Sequence, residues 1–411
     1  MISINLNKKV IIFGFIFTFF SCFGQSFFLG LFNPSIRSEL NIGQGQFGTI
    51  YALATLCSSL VIIWFGKKID EVQLFYYALI VIALLFISSI FFSTINNIYM
   101  LFVGIFLLRF SGQGLMIHTG ATAISRYFNK SRGKALSVIW FGLSSAEFIM
   151  PVLITFFLSL YSWKILWQGI SILIIIILPL VIYSTIKSIN FESREEKKDT
   201  NKDLKSVKKI KDWTRREVIF DFKFYIITLT MQVLPTISTG IFVYQSFISE
   251  SKNWGTFIFA QSFMAYSIVS LVTLFATGFL VDKFSSRKLI PFMNIPLIFA
   301  LIILVLFDHP YIAFIFLGLC GVSNGIGNVL GASTWAELYG VRYIGSIKAL
   351  TTAIMVFSTA FGTAIFGVLI DRGFTIEGIA LACTTYIVLV TILLLMFRKT
   401  FEPSYLSNNL I

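Results

Sequence analysis

Charge is what this sequence has least of. Asp, Glu, Lys and Arg together make up only 12% of its 411 residues, where a soluble chain needs roughly a quarter to cover its surface. A water-exposed globule is excluded. Cysteine is scarce too: Cys22, Cys57, Cys320 and Cys383 sit in apolar runs with no CxxC spacing. That excludes a disulfide framework and a thiolate metal site, and leaves them as small core residues. There is no GxxxxGK[ST] phosphate loop and no soluble domain to hydrolyse ATP. Residues Gly43 to Gly48, GQGQFG, match GxGxxG, but no strand precedes them and they fall outside the cell, so a dinucleotide site is excluded. No cofactor, no metal and no enzymatic activity are expected.

What the chain does have is apolar length: 57% hydrophobic residues and a mean hydropathy of +0.86. Spanning hydrocarbon takes about 20 apolar residues, and twelve runs qualify: 10–31, 47–65, 73–93, 98–121, 135–159, 165–186, 222–247, 256–280, 289–307, 311–334, 346–370 and 376–397. The runs are continuous and about twice the length of a barrel strand, so they are helices. Lys8 and Lys9 precede a first run too long for a signal-peptide core, which marks it as a retained span. With the N-terminus in the cytoplasm, 27 of the 32 Lys and Arg residues fall on the cytoplasmic side. Only Arg37, Lys164, Lys252 and Arg372 fall outside, and Arg109 alone lies within the membrane. Both termini are therefore expected inside. The net charge of +13 is topological, which disposes of a nucleic-acid partner.

Three segments result: a six-helix bundle over 1–189, a cytoplasmic linker over 190–221 and a second six-helix bundle over 222–411. The linker carries both signs of charge and reads as partly helical on the membrane surface, with Trp213 and Ile219 as anchors and its cations against anionic lipid. The flanking halves are related. At an offset of 212 residues Gly66 falls on Gly278 and Asp70 on Asp282, in the turns FGKKIDE and TGFLVDKFSSRK. RYFNKSRGKAL after span four has a looser echo in ELYGVRYIGSIKAL after span ten. Two parallel repeats of six spans are the layout of a transporter that rocks one half against the other.

These motifs resemble those of the major facilitator superfamily. TGFLVDKFSSRK is similar to the family's loop motif, with Gly278, Asp282, Lys283, Arg287 and Lys288 in place. FGKKIDE keeps Gly66 and Asp70 without the trailing basic pair. LLRFSGQGLM resembles the fourth-span motif Arg-x-x-x-Gln-Gly, through Arg109, Gln113 and Gly114. RYFNKSRGKALSVIWFG resembles the corresponding segment of the monocarboxylate and oxalate/formate branch. The resemblance implies an all-α membrane protein, with twelve transmembrane helices in two pseudo-symmetric six-helix bundles. Independently of the resemblance, Asp282 at the end of span eight is either a cytoplasmic latch, pairing with helix N-terminal dipoles and basic residues of the adjacent loop, or a solvated turn.

Arg109 lies roughly 17 Å into span four at 1.5 Å per residue, near the midplane, and a charge in hydrocarbon is costly enough to need a task. Glu147 reaches a similar depth in span five. Three readings stand side by side: Arg109 binds a substrate carboxylate in a forked pair, Arg109 and Glu147 form a proton-coupling pair, or they form a permanent structural ion pair. Neither charge recurs in the second half, where the offset gives Gly321 and Thr359. Gln113 is placed one turn below Arg109, and Gly112 and Gly114 leave room for a close helix or a substrate. His118 either relays protons or packs through a hydrogen bond; His309 is assigned no role. Pro151 loosens span five one turn after Glu147, resembling the family's fifth-span Gly/Pro motif. Glu147 itself stands where small residues usually dominate, which weighs against a proton antiporter.

Gln25, Ser26, Asn33, Gln232, Gln245, Asn324 and Asn328 lie in helices the family uses to line its cavity. Each is a cavity residue or an interhelical hydrogen bond. The glycine run GLCGVSNGIGN predicts close packing or hinging. The favoured function is a monomeric secondary transporter of the bacterial inner membrane, moving a small organic anion such as a monocarboxylate with protons by alternating access. The alternatives are a proton-coupled exporter of amphipathic or cationic compounds, with Glu147 as its cation site, and a membrane sensor that binds without transporting.

Overall fold

The computed structural model describes residues 2–128, 132–187 and 211–401. Most of the expected 190–221 linker lies outside the described residues, as do Lys130 and the side chains of Arg132 and Lys134. Among the described residues all regular structure is helical. Helices α1 (Ile2–Phe20), α2 (Ser26–Leu29) and α3 (Asn33–Leu40) form the first span. After α4 (Gln44–Phe65) and α5 (Leu74–Ser93), α6 (Ile98–Leu108) runs through a π-helical stretch, Arg109–Met116, into α7 (Ile117–Tyr127). Two long spans follow, α8 (Arg132–Leu158) and α9 (Trp163–Thr185). The short α10 (Arg215–Ile219) precedes α11 (Phe222–Val243), α12 (Gln245–Ser251), α13 (Thr256–Phe284) and α14 (Ser286–Leu289). Then come α15 (Ile295–Leu306), α16 (Ile312–Tyr339), α17 (Ile344–Asp371) and α18 (Ile376–Met396).

Among the described residues eleven helices are long and apolar enough to cross a membrane, and the first span, bent by 44° at its break, brings the number to twelve when counted as one. The chain forms two compact units. The first comprises Met1–Asp199, Ile241–Glu250 and Thr363–Arg372; the second comprises Thr200–Gly240, Ser251–Gly362 and Gly373–Ile411. The first therefore takes in one end of α11, most of α12 and the last residues of α17.

Between helices in lipid there is no water to expel, so packing rests on close van der Waals contact, and small residues make that contact possible. In the first unit, Gly142 of α8 meets the carbonyl of Phe15: a Cβ there would stand 2.3 Å from that oxygen. In the second unit, Gly321 and Gly325 of α16 lie against Tyr266 and Ser270 of α13, where added Cβ atoms would come within 2.5 and 2.6 Å of the two carbonyl oxygens. Asn324, between them, donates to Ser270 Oγ at 2.9 Å. The glycine run of span ten is thus a packing seam.

Candidate functional site

The candidate site grows out of a break in the first span. After α1 the backbone tightens into a 3₁₀ turn over Ser21–Gly24, and Gln25 turns extended at φ −85°, ψ 152° before the helix restarts at Ser26. In an unbroken helix Phe28 N–H would bond the Gly24 carbonyl; here it donates to Gln25 O at 3.2 Å. The Gly24 carbonyl is released in an apolar interior, where an unmade hydrogen bond is expensive. Arg109 Nη1 fills it at 3.0 Å. The geometry needs two glycines. A Cβ on Gly24 would meet Leu108 O at 2.3 Å and Gln113 N at 2.4 Å, and a Cβ on Gly112 would meet Gly24 N at 2.7 Å. Aromatic packing holds the break in place, with Phe23, Phe28, Phe32 and Phe92 all ringed around the buried Trp167.

The partner segment on span four is itself irregular, being π-helical from Arg109 to Met116. Such wide turns concentrate at functional sites.

Arg109 is 3% exposed, and its guanidinium carbon lies 5.3 Å from the centroid of the Tyr51 ring, a cation–π distance. Its Nε–H is buried without an acceptor, and so are the hydroxyls of Tyr51 and of Thr55 one turn along α4. The direct ion pair with Glu147 is not formed. Glu147, 9% exposed on α8, has no hydrogen bond or ion pair among the described residues, and its titratable neighbour within electrostatic reach is Cys22. The physical reason is the broken turn. Arg109 is held on the Gly24 carbonyl and the Tyr51 face, whereas Glu147 lies by Cys22, two residues earlier in the same turn. The first unit thus presents a buried cation and a buried carboxyl at one helix break, each without a counter-charge among the described residues.

Farther along the first unit, other expected cavity residues serve as ties. Gln245 Nε2 donates to the carbonyls of Phe27 and Phe242, both at 2.9 Å. Asn33 Nδ2 donates to Val243 O at 2.8 Å and accepts from Arg37 Nε at 2.7 Å. Gly43 to Gly48 acquire a physical role here. The N–H groups of Gln44 and Gly45, at the start of α4, donate to the Asp371 carboxylate at 2.9 and 2.7 Å, a favourable placement for a negative charge. Tyr244 OH donates to Thr363 O at 2.9 Å and lies 3.2 Å from Gln44 O. Gly48 is where the Tyr244 hydroxyl approaches, at 2.0 Å from a would-be Cβ.

A sequence profile of the Major Facilitator Superfamily matches residues 14–363. The chain belongs to that superfamily. It is a secondary transporter of the membrane, not an enzyme. Among solved structures, the nucleoside transporter NupG is similar at a TM-score of 0.68 and 12% identity, over 96% of this chain and 99% of that one. A bacterial homologue of the human lysosomal transporter Spinster, inward-facing and unoccupied, is similar at 0.62 and 14%, over 96% of each. At these identities the likeness concerns the fold. No curated protein matches in sequence. The matches speak for the major facilitator superfamily as a whole and not for the monocarboxylate or oxalate/formate branch.

The superfamily's loop motif behaves differently in its two copies. In the first unit, Asp70 pairs with Arg126 at the end of α7, and the same guanidinium donates to Ile69 O at 3.1 Å. His118 Nε2 lies 3.1 Å from Gly66 O, so it fastens span four to this turn. In the second unit the expected contacts of Asp282 are not made: it is exposed, with no partner among the described residues. The reason is that α13 runs on to Phe284, which leaves Asp282 in the last turn, where the helix dipole disfavours an anion. Glu337 of α16 does the anchoring instead. It accepts from Ser286 N at 2.8 Å and from the Ser286 hydroxyl, and lies 3.3 Å from Arg287 Nε. Arg287 also donates to Phe401 O at 3.3 Å. Gly278 faces open space, and Lys288 is exposed.

Of the remaining expected residues, Gln25 and Gln113 are half-buried with side chains that make no hydrogen bond among the described residues, and Asn328 is exposed. Gln232 is 8% exposed with its Oε1 unpartnered. Sequence reasoning missed Tyr51, Thr55, Asp371, Tyr244 and Glu337. The glycines of GQGQFG were the available signal for Asp371 and Tyr244. Nothing in the sequence marked Tyr51.

Proposed function

We propose that this transporter carries a small organic anion by alternating access, coupled to protons, with Arg109 binding the anionic group and Glu147 carrying the proton. The observation that supports it is Arg109 itself, a guanidinium 3% exposed with a carbonyl and an aromatic face for partners and no carboxylate. A buried cation of this kind is strongly favoured by a forked acidic group. Tyr51 OH and Thr55 Oγ1 offer further hydrogen bonds on the neighbouring helix. Protonating Glu147 removes a negative charge from beside the Cys22–Gly24 turn and leaves Arg109 to the incoming anion. The distribution of Lys and Arg supports cytoplasmic termini in a bacterial inner membrane, and the gating role belongs to the Asp70–Arg126 and Arg287–Glu337 contacts.

The test is uptake of labelled monocarboxylates into proteoliposomes under an imposed pH gradient. Uptake that follows the gradient, falls with Arg109→Ala and loses its pH dependence with Glu147→Gln is the expected result. Normal uptake in both variants sinks the assignment. Export of amphipathic cations remains the second reading, favoured by the same unpartnered Glu147 carboxyl; dye efflux abolished by Glu147→Gln and untouched by Arg109→Ala selects it.

A further inference from the structure

In the second unit the residues just before α11 make a groove of about 500 Å³, lined by Lys211, Trp213, Arg216, Glu217, Phe220 and Asp221. Its walls are fastened rather than loose. Asp212 accepts from the N–H groups of Val341 and Arg342 at 3.0 and 3.1 Å, and Trp213 N–H donates to Tyr339 O at 3.0 Å. Thr214 and Glu217 close a reciprocal cap on α10, and Val218 is fully buried among Phe224, Trp335 and Tyr339.

The acids of this groove are already satisfied. Glu217 takes Lys211 Nζ at 2.9 Å together with the N–H and hydroxyl of Thr214. Asp221 accepts from Tyr339 OH at 3.0 Å and from Lys223 N at 3.1 Å. The guanidinium of Arg216, with that of its neighbour Arg215, has no carboxylate partner among the described residues, and both side chains are exposed. The groove is therefore preformed, and its uncommitted charge is positive.

Its depth follows from the chain. The membrane span α11 begins at Phe222, immediately after the groove, so the groove lies at the membrane–water boundary. Phe220, Phe222 and Tyr225 are 79, 54 and 53% exposed there, aromatic side chains of the kind that settle among lipid headgroups. We propose that this groove is a binding site for the headgroup of an anionic phospholipid. Arg216, which lines the groove, takes the phosphate, Arg215 beside it in the chain adds to the positive field, and Phe220 packs on the glycerol and upper acyl region. The charge complementarity is that of juxtamembrane basic segments with acidic leaflets, in which each Lys or Arg strengthens binding roughly fivefold. The inference rests on the membrane reading alone and not on the transported substrate.

The test titrates the detergent-purified full chain with short-chain phosphatidylglycerol or phosphatidylcholine and counts bound lipid by native mass spectrometry. Phosphatidylglycerol is expected to bind well ahead of phosphatidylcholine. The Arg215→Gln/Arg216→Gln pair should weaken it roughly fivefold per arginine removed, and Arg372→Gln, an exposed cation just past the C-terminal end of α17, should leave it unchanged. Inorganic phosphate at matched concentration should not displace the lipid. Equal binding of the two lipids, an unaffected double variant with native thermal stability, or displacement by phosphate alone would each overturn the proposal.

Discussion

Among the described residues each unit buries one cation, and the two are treated in opposite ways. Lys252, 2% exposed in the second unit, has a carboxylate on either side: Asp308 and Glu377, both 2.7 Å from its ammonium. Burial pushes that ammonium down, but the two carboxylates outweigh it and hold it above the ordinary lysine value. Arg109, 3% exposed in the first unit, has a carbonyl and an aromatic ring and no counter-ion among the described residues. A cation kept for structure is neutralised on the spot. Arg109 instead meets a carbonyl released at a helix break, and the proposed function takes it as the site of a charge that comes and goes.

The comparison breaks if Arg109 proves as structural as Lys252. Replacing Arg109 with alanine should lower substrate uptake by about two orders of magnitude, the equivalent of losing a charged hydrogen-bonded contact worth about 3 kcal/mol. Arg109→Lys, which keeps the charge without the fork, should recover only part of it in the same proteoliposome assay. Next in size is Gly24→Ala, which leaves both charges in place but forces Leu108 and Gln113 away from the turn. A destabilisation of about 1–3 kcal/mol is expected for such overpacking, read as a lowered thermal midpoint with a matching loss of uptake.

Lys252→Met should do less. Asp308 and Glu377 have side chains 79% and 37% exposed, so they stay hydrated when the lysine goes. The loss is about 1 kcal/mol rather than the several expected where both partners are buried, and uptake per folded molecule is unchanged. Because the folded ammonium titrates above its unfolded value of about 10.4, its stabilisation is complete at neutral pH. It is lost only as pH rises through the folded value, so thermal midpoints of native protein and Lys252→Met should converge only in strong alkali. The smallest effect belongs to Glu217, which Lys211 and Thr214 hold down to about 2. Its contribution is present above the unfolded value of about 4.3 and fades as pH falls toward 2. Hydrogen exchange of α10 should accelerate over that window in native protein and be already fast in Glu217→Gln.

The loop motifs show what sequence pattern reads well and where it stops. TGFLVDKFSSRK is the fuller copy, yet its Asp282 is solvent-exposed, while the degraded FGKKIDE copy has its Asp70 paired with Arg126. In the first unit the acid is on the loop and the base is at the end of span four. In the second the base, Arg287, is on the loop and the acid, Glu337, is on the span. A motif records residue types at a spacing; which of them meet depends on where each helix ends, and α13 ends two residues past Asp282. Tyr51 was illegible for a similar reason. An aromatic residue in an apolar span looks the same whether it faces lipid, core or guanidinium.

The sequence by itself determined that this chain is an all-helical protein that crosses a membrane many times. Those properties are sums over many residues, governed by the cost of putting charge and unpaired backbone into hydrocarbon. Only the tertiary structure decided that the first span breaks at Gln25, that span four widens into a π-turn against it and that Arg109 joins the break rather than Glu147. Those are matters of a few ångströms between two glycines and a released carbonyl, and no periodicity in the sequence encodes them.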